Sequence, residues 1–200
     1  MVDETGENQI VVSSGANLAA RCVPDARDSI LLTQLELPLE TVALFLSTRR
    51  PRSIAILNAA PFHPDARPLF SLADIVVVNQ VELAGYCNDP TPPTSESRAI
   101  DMATALIDRP TQTIIVTRGE HGSIAVGPEG GLATLAKVVQ AVDTTGAGDC
   151  FCGFLAAGIA TGQTLAVSVE RAHDAAAISV GRWGAASSIP LGTELQPARI

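Results

Sequence analysis

Three runs of consecutive apolar, mostly β-branched residues constrain this chain more than any other feature: Ser53-Ile-Ala-Ile-Leu57, Ala73-Asp-Ile-Val-Val-Val78 and Thr113-Ile-Ile-Val-Thr117. A strand with one wet face alternates apolar and polar residues, whereas an unbroken run fits a strand buried on both faces, as in a parallel sheet covered by helices. Shorter runs at Gln9-Ile-Val-Val-Ser13 and Ser29-Ile-Leu-Leu-Thr33 read as further strands. Between them, Pro38 to Arg50 carries Pro in its first turn and Arg49-Arg50 in its last, the ends where a helix favours proline and cations. A polar insert, Asn88 to Ser95, precedes a second helix from about Glu96 to Ile107. Ser123-Ile-Ala-Val126 and Leu132-Ala-Thr-Leu135 flank Gly127-Pro-Glu-Gly-Gly131 as a hairpin. Lys137 to Val142 reads as a strand entering a glycine loop, followed by Ala-rich helices from about Ala147 to Ala160 and Thr164 to Val180. The alternation predicts an α/β fold, a mostly parallel sheet between helix layers.

Two hundred residues suit one domain, and 46% hydrophobic with 17% charged residues predicts a folded chain. No stretch approaches the roughly 20 apolar residues that span a bilayer. Met1 to Asn8 is polar and acidic, unlike a secretory signal or a transit peptide, so a cytoplasmic location is expected, with the nucleus open for a eukaryotic source. A net charge of -8 argues against nucleic-acid or membrane partners. Cys22, Cys87, Cys150 and Cys152 form no CxxC pair and His63, His121 and His173 are scattered, so the cysteines read as small core residues rather than zinc ligands.

The chemistry concentrates in Asp143-Thr-Thr-Gly-Ala-Gly-Asp-Cys-Phe-Cys-Gly-Phe154, between an expected strand and helix. Gly146 and Gly148 allow a sharp turn and close approach of an anion. The amides of Gly146, Ala147, Gly148 and Asp149 at a helix start would bind phosphate through unpaired N–H groups and the helix dipole. A P-loop would need a lysine that is absent, and a dinucleotide fingerprint would need glycine where Phe151 stands. Asp149 reads either as a carboxylate favoured by the helix dipole or as a general base taking a proton from an attacking hydroxyl. Asn79 with Glu82 reads as a helix cap with a capping-box-like pattern. Asp143 reads as a carboxylate bonding nearby loop amides, Glu36 as a turn acid, and Arg182 as a helix-end charge.

The run from Asp143 to Gly153 resembles the C-terminal signature of the ribokinase/PfkB carbohydrate kinase family. The resemblance continues through Gly6-Glu-Asn-Gln-Ile-Val-Val12 with Gly15-Ala-Asn17, Gln34-Leu-Glu36, Asn58-Ala-Ala-Pro61, Asn79-Gln-Val-Glu82, Thr117-Arg-Gly-Glu-His-Gly122 and Ala172-His173. It implies a ribokinase-like three-layer α/β/α sandwich and phosphorylation of D-ribose at O5 by ATP. Asp149 would be the base, with Gly146, Ala147 and Gly148 as anion hole. Asn79, Thr117, Gly119, Glu120, Gly122, Gly148 and His173 would border ATP, Glu82 would hold Mg²⁺ through water, and Glu36 with Asp149 would meet the sugar. Asp143, carbonyls of Thr145, Ser179, Arg182 and Gly184, and the Ser188 hydroxyl would form a K⁺ site.

The same resemblance implies that residues 1–200 are the C-terminal two thirds of such a domain, with 1–17 a remnant of its β lid. The opening strand, most of the lid and much of the sugar grip would lie upstream, and any homodimer would form through that lid. Gln80 stands where the family commonly has Glu. Another sugar or nucleoside kinase of the family, or an inactive nucleotide-binding fragment, are the alternative expectations.

Overall fold

The computed structural model describes residues 14–21, 29–128 and 130–195. The chain divides into two compact units, one formed by Ser14–Arg118 with Ser123–Ala133, the other by Gly119–Gly122 with the chain from Thr134 onward.

The first unit is built on a six-stranded sheet: β1 (Ile30–Thr33), β2 (Ile54–Asn58), β3 (Ile75–Asn79), β4 (Thr113–Thr117), β5 (Ser123–Gly127) and β6 (Gly130–Thr134), adjacent in chain order. β1 to β4 are parallel, and β5 runs antiparallel to β4, with Ile114 opposite Val126 and Thr117 opposite Ser123. The helices α1 (Leu39–Ser47), α2 (Gln80–Tyr86) and α3 (Glu96–Ala105), with a 3-10 segment at Pro64–Leu72, supply the crossovers. Because successive parallel strands step in one direction and crossovers are right-handed, these helices fall on one face of the sheet. There Ala55, Leu57, Val76, Val78, Ile114, Val116, Ile124 and Val126 pack with Val42, Leu46, Phe70, Leu83, Ala99 and Met102. The alternate residues Ile56, Ile75, Val77, Ile115 and Ala125 are buried as well. Burial on both faces is the physical reason these strands are continuous apolar runs. Buried Gln112 ties the turn before β4 to the 3-10 segment, donating to the carbonyls of Phe70 at 2.6 Å and Ala73 at 2.8 Å, while its oxygen accepts from the Asp108 amide.

The second unit is led by α4 (Ala147–Ala160) and α5 (Leu165–Val180). A Cβ added at Gly158 would lie 2.6 Å from the Ser168 hydroxyl and 2.8 Å from its Cβ, so the two helices approach as closely as a glycine allows. Cys150 packs with Ala175, Leu195, Phe154 and Ile178.

The element reading holds for six of the seven strands expected within the described residues. Lys137 to Val142, expected as a strand, joins no ladder; its last residue and Asp143 donate to the Val180 carbonyl at 2.7 and 3.1 Å instead. Val138 is exposed there, so β-branched composition found no neighbouring strand among the described residues to pair with. The hairpin's second strand starts at Gly130, two residues earlier than expected. The Gln9–Ser13 and Gly6–Val12 segments and Cys22 lie outside the described residues, while Gly15–Ala19 forms a 3-10 turn. Cys150 and Cys152 are buried and Cys87 is half-buried, all as free thiols. No helix among the described residues is long and apolar enough to cross a membrane.

Candidate functional site

In the second unit Asp143 ties the start of the glycine loop to the segment carrying Gly184. Its carboxylate accepts from the Thr145 amide at 2.9 Å and the Gly184 amide at 3.0 Å, a bond spanning 41 positions. The Thr145 hydroxyl and amide, with the Gly184 amide, hold the Asp143 carboxyl below its usual range. Gly146 then adopts φ 77° as the residue before α4, a left-handed turn natural to glycine. Ala147 N–H closes on the Thr144 carbonyl, but no side chain caps α4, and the Gly148 and Asp149 amides find no partner among the described residues. Gly148 and Asp149 are exposed, and nothing lies within 4 Å of where a Gly148 Cβ would stand. The loop therefore presents free donors, a helix N-terminus and an adjacent carboxylate.

The residues expected around a monovalent cation are brought together. Buried Ser179 and Ser188 share a hydroxyl contact of 2.8 Å, Ser188 also bonds the Ala185 carbonyl at 2.8 Å, and Arg182 N–H donates to the Ser179 carbonyl. The Arg182 guanidinium turns to Glu194, leaving its carbonyl as the group it could offer a cation. The donor set is entirely oxygen, with an ionised carboxylate and peptide carbonyls, which suits a hard monovalent ion. Asp143 also fulfils the structural reading, since both of its oxygens staple loop amides.

Gly119–His121 forms one 3-10 turn, and Gly122 N–H returns to the Gly119 carbonyl at 3.1 Å. Gly119 and Gly122 have φ 56° and 81°; a Gly122 Cβ would stand 1.9 Å from the Thr134 carbonyl oxygen, so only glycine fits. Glu120 is exposed on this turn. His173 on α5 is buried edge-on against Phe151, with ring centroids 5.0 Å apart. Burial pushes its pKa down to about 4 against the opposing pull of Asp174, which itself pairs with Lys137 at 2.7 Å. The ring is thus a neutral group packed against α4.

In the sheet unit, Asn58, Asn79 and Thr117 end β2, β3 and β4, at the carboxyl edge where open α/β sheets bind ligands. Asn79 caps α2: its side-chain oxygen accepts from Glu82 N–H at 2.8 Å, and Glu82 Oε2 accepts from Asn79 N–H at 2.8 Å. The capping-box reading is therefore realised, and burial raises the pKa of Glu82 while the Asn79 amide opposes the shift. Its other oxygen has no partner among the described residues and could meet a metal's water. Thr117 lies opposite Asn79 in the ladder, its hydroxyl reaching the Val78 carbonyl at 3.4 Å. Gln80 turns aside and donates to the Pro93 carbonyl at 2.8 Å, a bond a glutamate could not donate. Glu36 is exposed in the turn after β1, its amide bonded to the Gln34 side chain. Sequence reasoning missed Ala185 beside Gly146 and the Lys137–Asp174 pair, since both contacts join distant segments without a local pattern.

A family model described as pfkB family carbohydrate kinase matches residues 1–191. The ribokinase of Schizosaccharomyces pombe is 36% identical over 201 residues, covering 95% of this chain and 63% of that protein. The ribokinase structure from Thermotoga maritima superposes with a TM-score of 0.82 at 30% identity, covering 96% of this chain and 65% of that one. The ribokinase from Cryptococcus neoformans var. grubii serotype A in complex with ADP gives 0.82 at 27% identity, covering 96% and 67%. The chain thus spans about two thirds of the length of these relatives, 63% for the yeast protein.

Proposed function

The chain belongs to the pfkB family of carbohydrate kinases, and from that membership we propose that the protein transfers the γ-phosphoryl group of ATP to O5 of D-ribose. The observation that carries the chemistry is the pair of unpartnered amides, Gly148 and Asp149, beside the Asp149 carboxylate in the first turn of α4. Asp149 takes the proton of the attacking hydroxyl as the O5–phosphorus bond forms and the bond from γ-phosphorus to the bridging oxygen breaks, releasing ADP. The loop amides hold the charge that spreads over the transferring group. They are fixed before any ligand arrives, because Asp143 and the left-handed Gly146 set the loop.

Glu82, behind the Asn79 cap, is the residue suited to hold Mg²⁺ through water, and a bound Mg²⁺ would neutralise ATP phosphate charge. Asp143, the carbonyls of Thr145, Ser179, Arg182 and Gly184, and the Ser188 hydroxyl form the K⁺ set, where a cation would add positive potential near the loop. Asn79, Thr117, Gly119, Glu120, Gly122 and His173 are assigned to the nucleotide, and Glu36 to the sugar. The relatives named ribokinase favour ribose over other sugars or nucleosides. Residues 1–17 are assigned to the lid, and pairing of two copies to that lid. Measuring ADP release from ATP with and without D-ribose tests the reading. Ribose-dependent release supports it, and ATP binding without any sugar-dependent release supports the nucleotide-binding alternative.

A further inference from the structure

Within the second unit, residues 134–142 run as a strap from the end of the hairpin to the glycine loop. At its start the strap meets the Gly119–His121 turn: a Cβ on Gly122 would stand 1.9 Å from the Thr134 carbonyl oxygen and 2.7 Å from the Ala136 nitrogen, so turn and strap touch backbone to backbone. At its end, Val142 N–H donates to the Val180 carbonyl at 2.7 Å, where α5 finishes. Between these points Lys137 Nζ pairs with Asp174 Oδ1 on α5 at 2.7 Å. Among the described residues no other hydrogen bond or ion pair holds residues 135–141, and Val138 and Val139 are exposed. Asp174 and Val180 lie about 9 Å apart along the helix axis, whereas an extended chain from Lys137 to Val142 could reach about 17 Å. The strap therefore has slack, and the ion pair rather than chain length decides where it lies.

We propose that Lys137 and Asp174 are positioning residues for the nucleotide base: their ion pair clasps the strap to α5 and so sets the spacing between the Gly119–Gly122 turn and His173. The inference rests on the assignment of that turn and of His173 to the nucleotide. Asp174 directly follows His173, whose ring packs edge-on against Phe151 of α4, so the clasp closes beside a fixed point. The turn, in contact with the strap one residue before Lys137, follows wherever the clasp holds the strap. The imidazole and the two valines offer no charge to a phosphate, while the glycine loop at the α4 start offers free amides. The clasp therefore acts on the base end of the nucleotide and leaves the phosphate end alone. A pair this exposed is a weak tie, with Lys137 56% and Asp174 19% accessible, so the expected effect is a few-fold rather than a loss of binding.

The test compares calorimetric affinities for ATP and for inorganic tripolyphosphate, which carries the phosphates without a base, at constant ionic strength. Lys137→Met and Asp174→Asn each open the clasp, one by removing a positive charge and the other a negative one. Both should weaken ATP binding by about 3- to 5-fold and leave tripolyphosphate binding within about 2-fold. The exchanged pair, Lys137→Asp with Asp174→Lys, should restore ATP affinity to within about 2-fold of the unsubstituted protein. Simple attraction of phosphate by Lys137 predicts instead that the two single substitutions shift affinity in opposite directions, and for both ligands. That pattern would overturn the clasp, as would a lowered thermal midpoint with both affinities unchanged, which leaves the pair a structural role alone. If the unsubstituted protein binds ATP no more tightly than tripolyphosphate, the turn and His173 hold no base, and the nucleotide assignment falls with the clasp. A base preference that survives both single substitutions overturns the clasp and spares that assignment.

Discussion

Replacing Glu82 by Gln separates the two roles its position combines. The carboxylate oxygen that accepts Asn79 N–H at 2.8 Å has an equivalent in the glutamine carbonyl, so the capping box survives. What is lost is a negative charge at the α2 N-terminus, worth about 0.3–1 kcal/mol. Opposing that loss, burial already disfavours the ionised form of Glu82 and raises its pKa. The two effects oppose, so the net change in unfolding free energy should stay within about 1 kcal/mol. Glu82→Ala instead leaves the Asn79 amide without its acceptor and should cost about 1–3 kcal/mol. The sign of the pH dependence follows from the raised pKa: Glu82 contributes stability below its unfolded value that is lost as pH rises through its folded value. The Gln variant should therefore gain relative to the unsubstituted protein as pH rises through the range where Glu82 ionises, and the two should converge where it is protonated. Urea unfolding across pH measures this, and isothermal titration of ATP with and without Mg²⁺ measures the site. The expected outcome is a stable Gln variant whose ATP affinity no longer responds to Mg²⁺. Equal destabilisation by Gln and Ala would refute the cap argument, and an unchanged Mg²⁺ response would remove Glu82 from metal binding.

Gly148→Ala meets open space, so its thermal midpoint should be unchanged while ATP affinity or turnover falls at least about 10-fold, because the new methyl occupies the approach to the amides. Gly122→Ala should instead lower stability by roughly 3 kcal/mol or more, from left-handed strain and a 1.9 Å backbone overlap, visible in chemical denaturation. Asp74 is partly buried, which alone would raise its pKa, but bonds from Arg49 and the Ala55 amide, with a further one from Arg109, bring it below the usual range. Its contribution is thus present above the unfolded pKa and lost as pH falls through the folded value, so Asp74→Asn should cost about 1–3 kcal/mol at neutral pH and flatten the acid limb of a pH–stability curve. Burial puts His173 at about 4, so its contribution is present above the unfolded value and lost on acidification towards pH 4. The His173 ring proton resonances should accordingly not titrate between pH 8 and about pH 5.

The parallel strands were legible because burial on both faces leaves an unbroken apolar run, as in Ile75 to Val78. The site's loop was legible for a different reason: Gly146 and Gly148 beside Asp149 form a local pattern that can be read without knowing its distant partners. Lys137 to Val142 misled because its β-branched residues are typical of strands, yet no strand among the described residues lies alongside to accept the ladder. The structural partners of Asp143 and Gly146, the Gly184 amide and Ala185, lie far along the chain and carry no spacing signal. Asn79 and Glu82 were ambiguous in sequence, and the structure realises the capping geometry while leaving one carboxylate oxygen available.

The central claim is that Asp149 removes the hydroxyl proton while neighbouring amides hold the transferring phosphoryl group. The most direct test is Asp149→Asn in the protein, comparing ribose-dependent ADP release with ATP affinity. The account predicts turnover reduced by about 10²- to 10⁴-fold with ATP binding nearly intact, since asparagine preserves the helix start and its free amides. Turnover within a few-fold of the unsubstituted protein would contradict it.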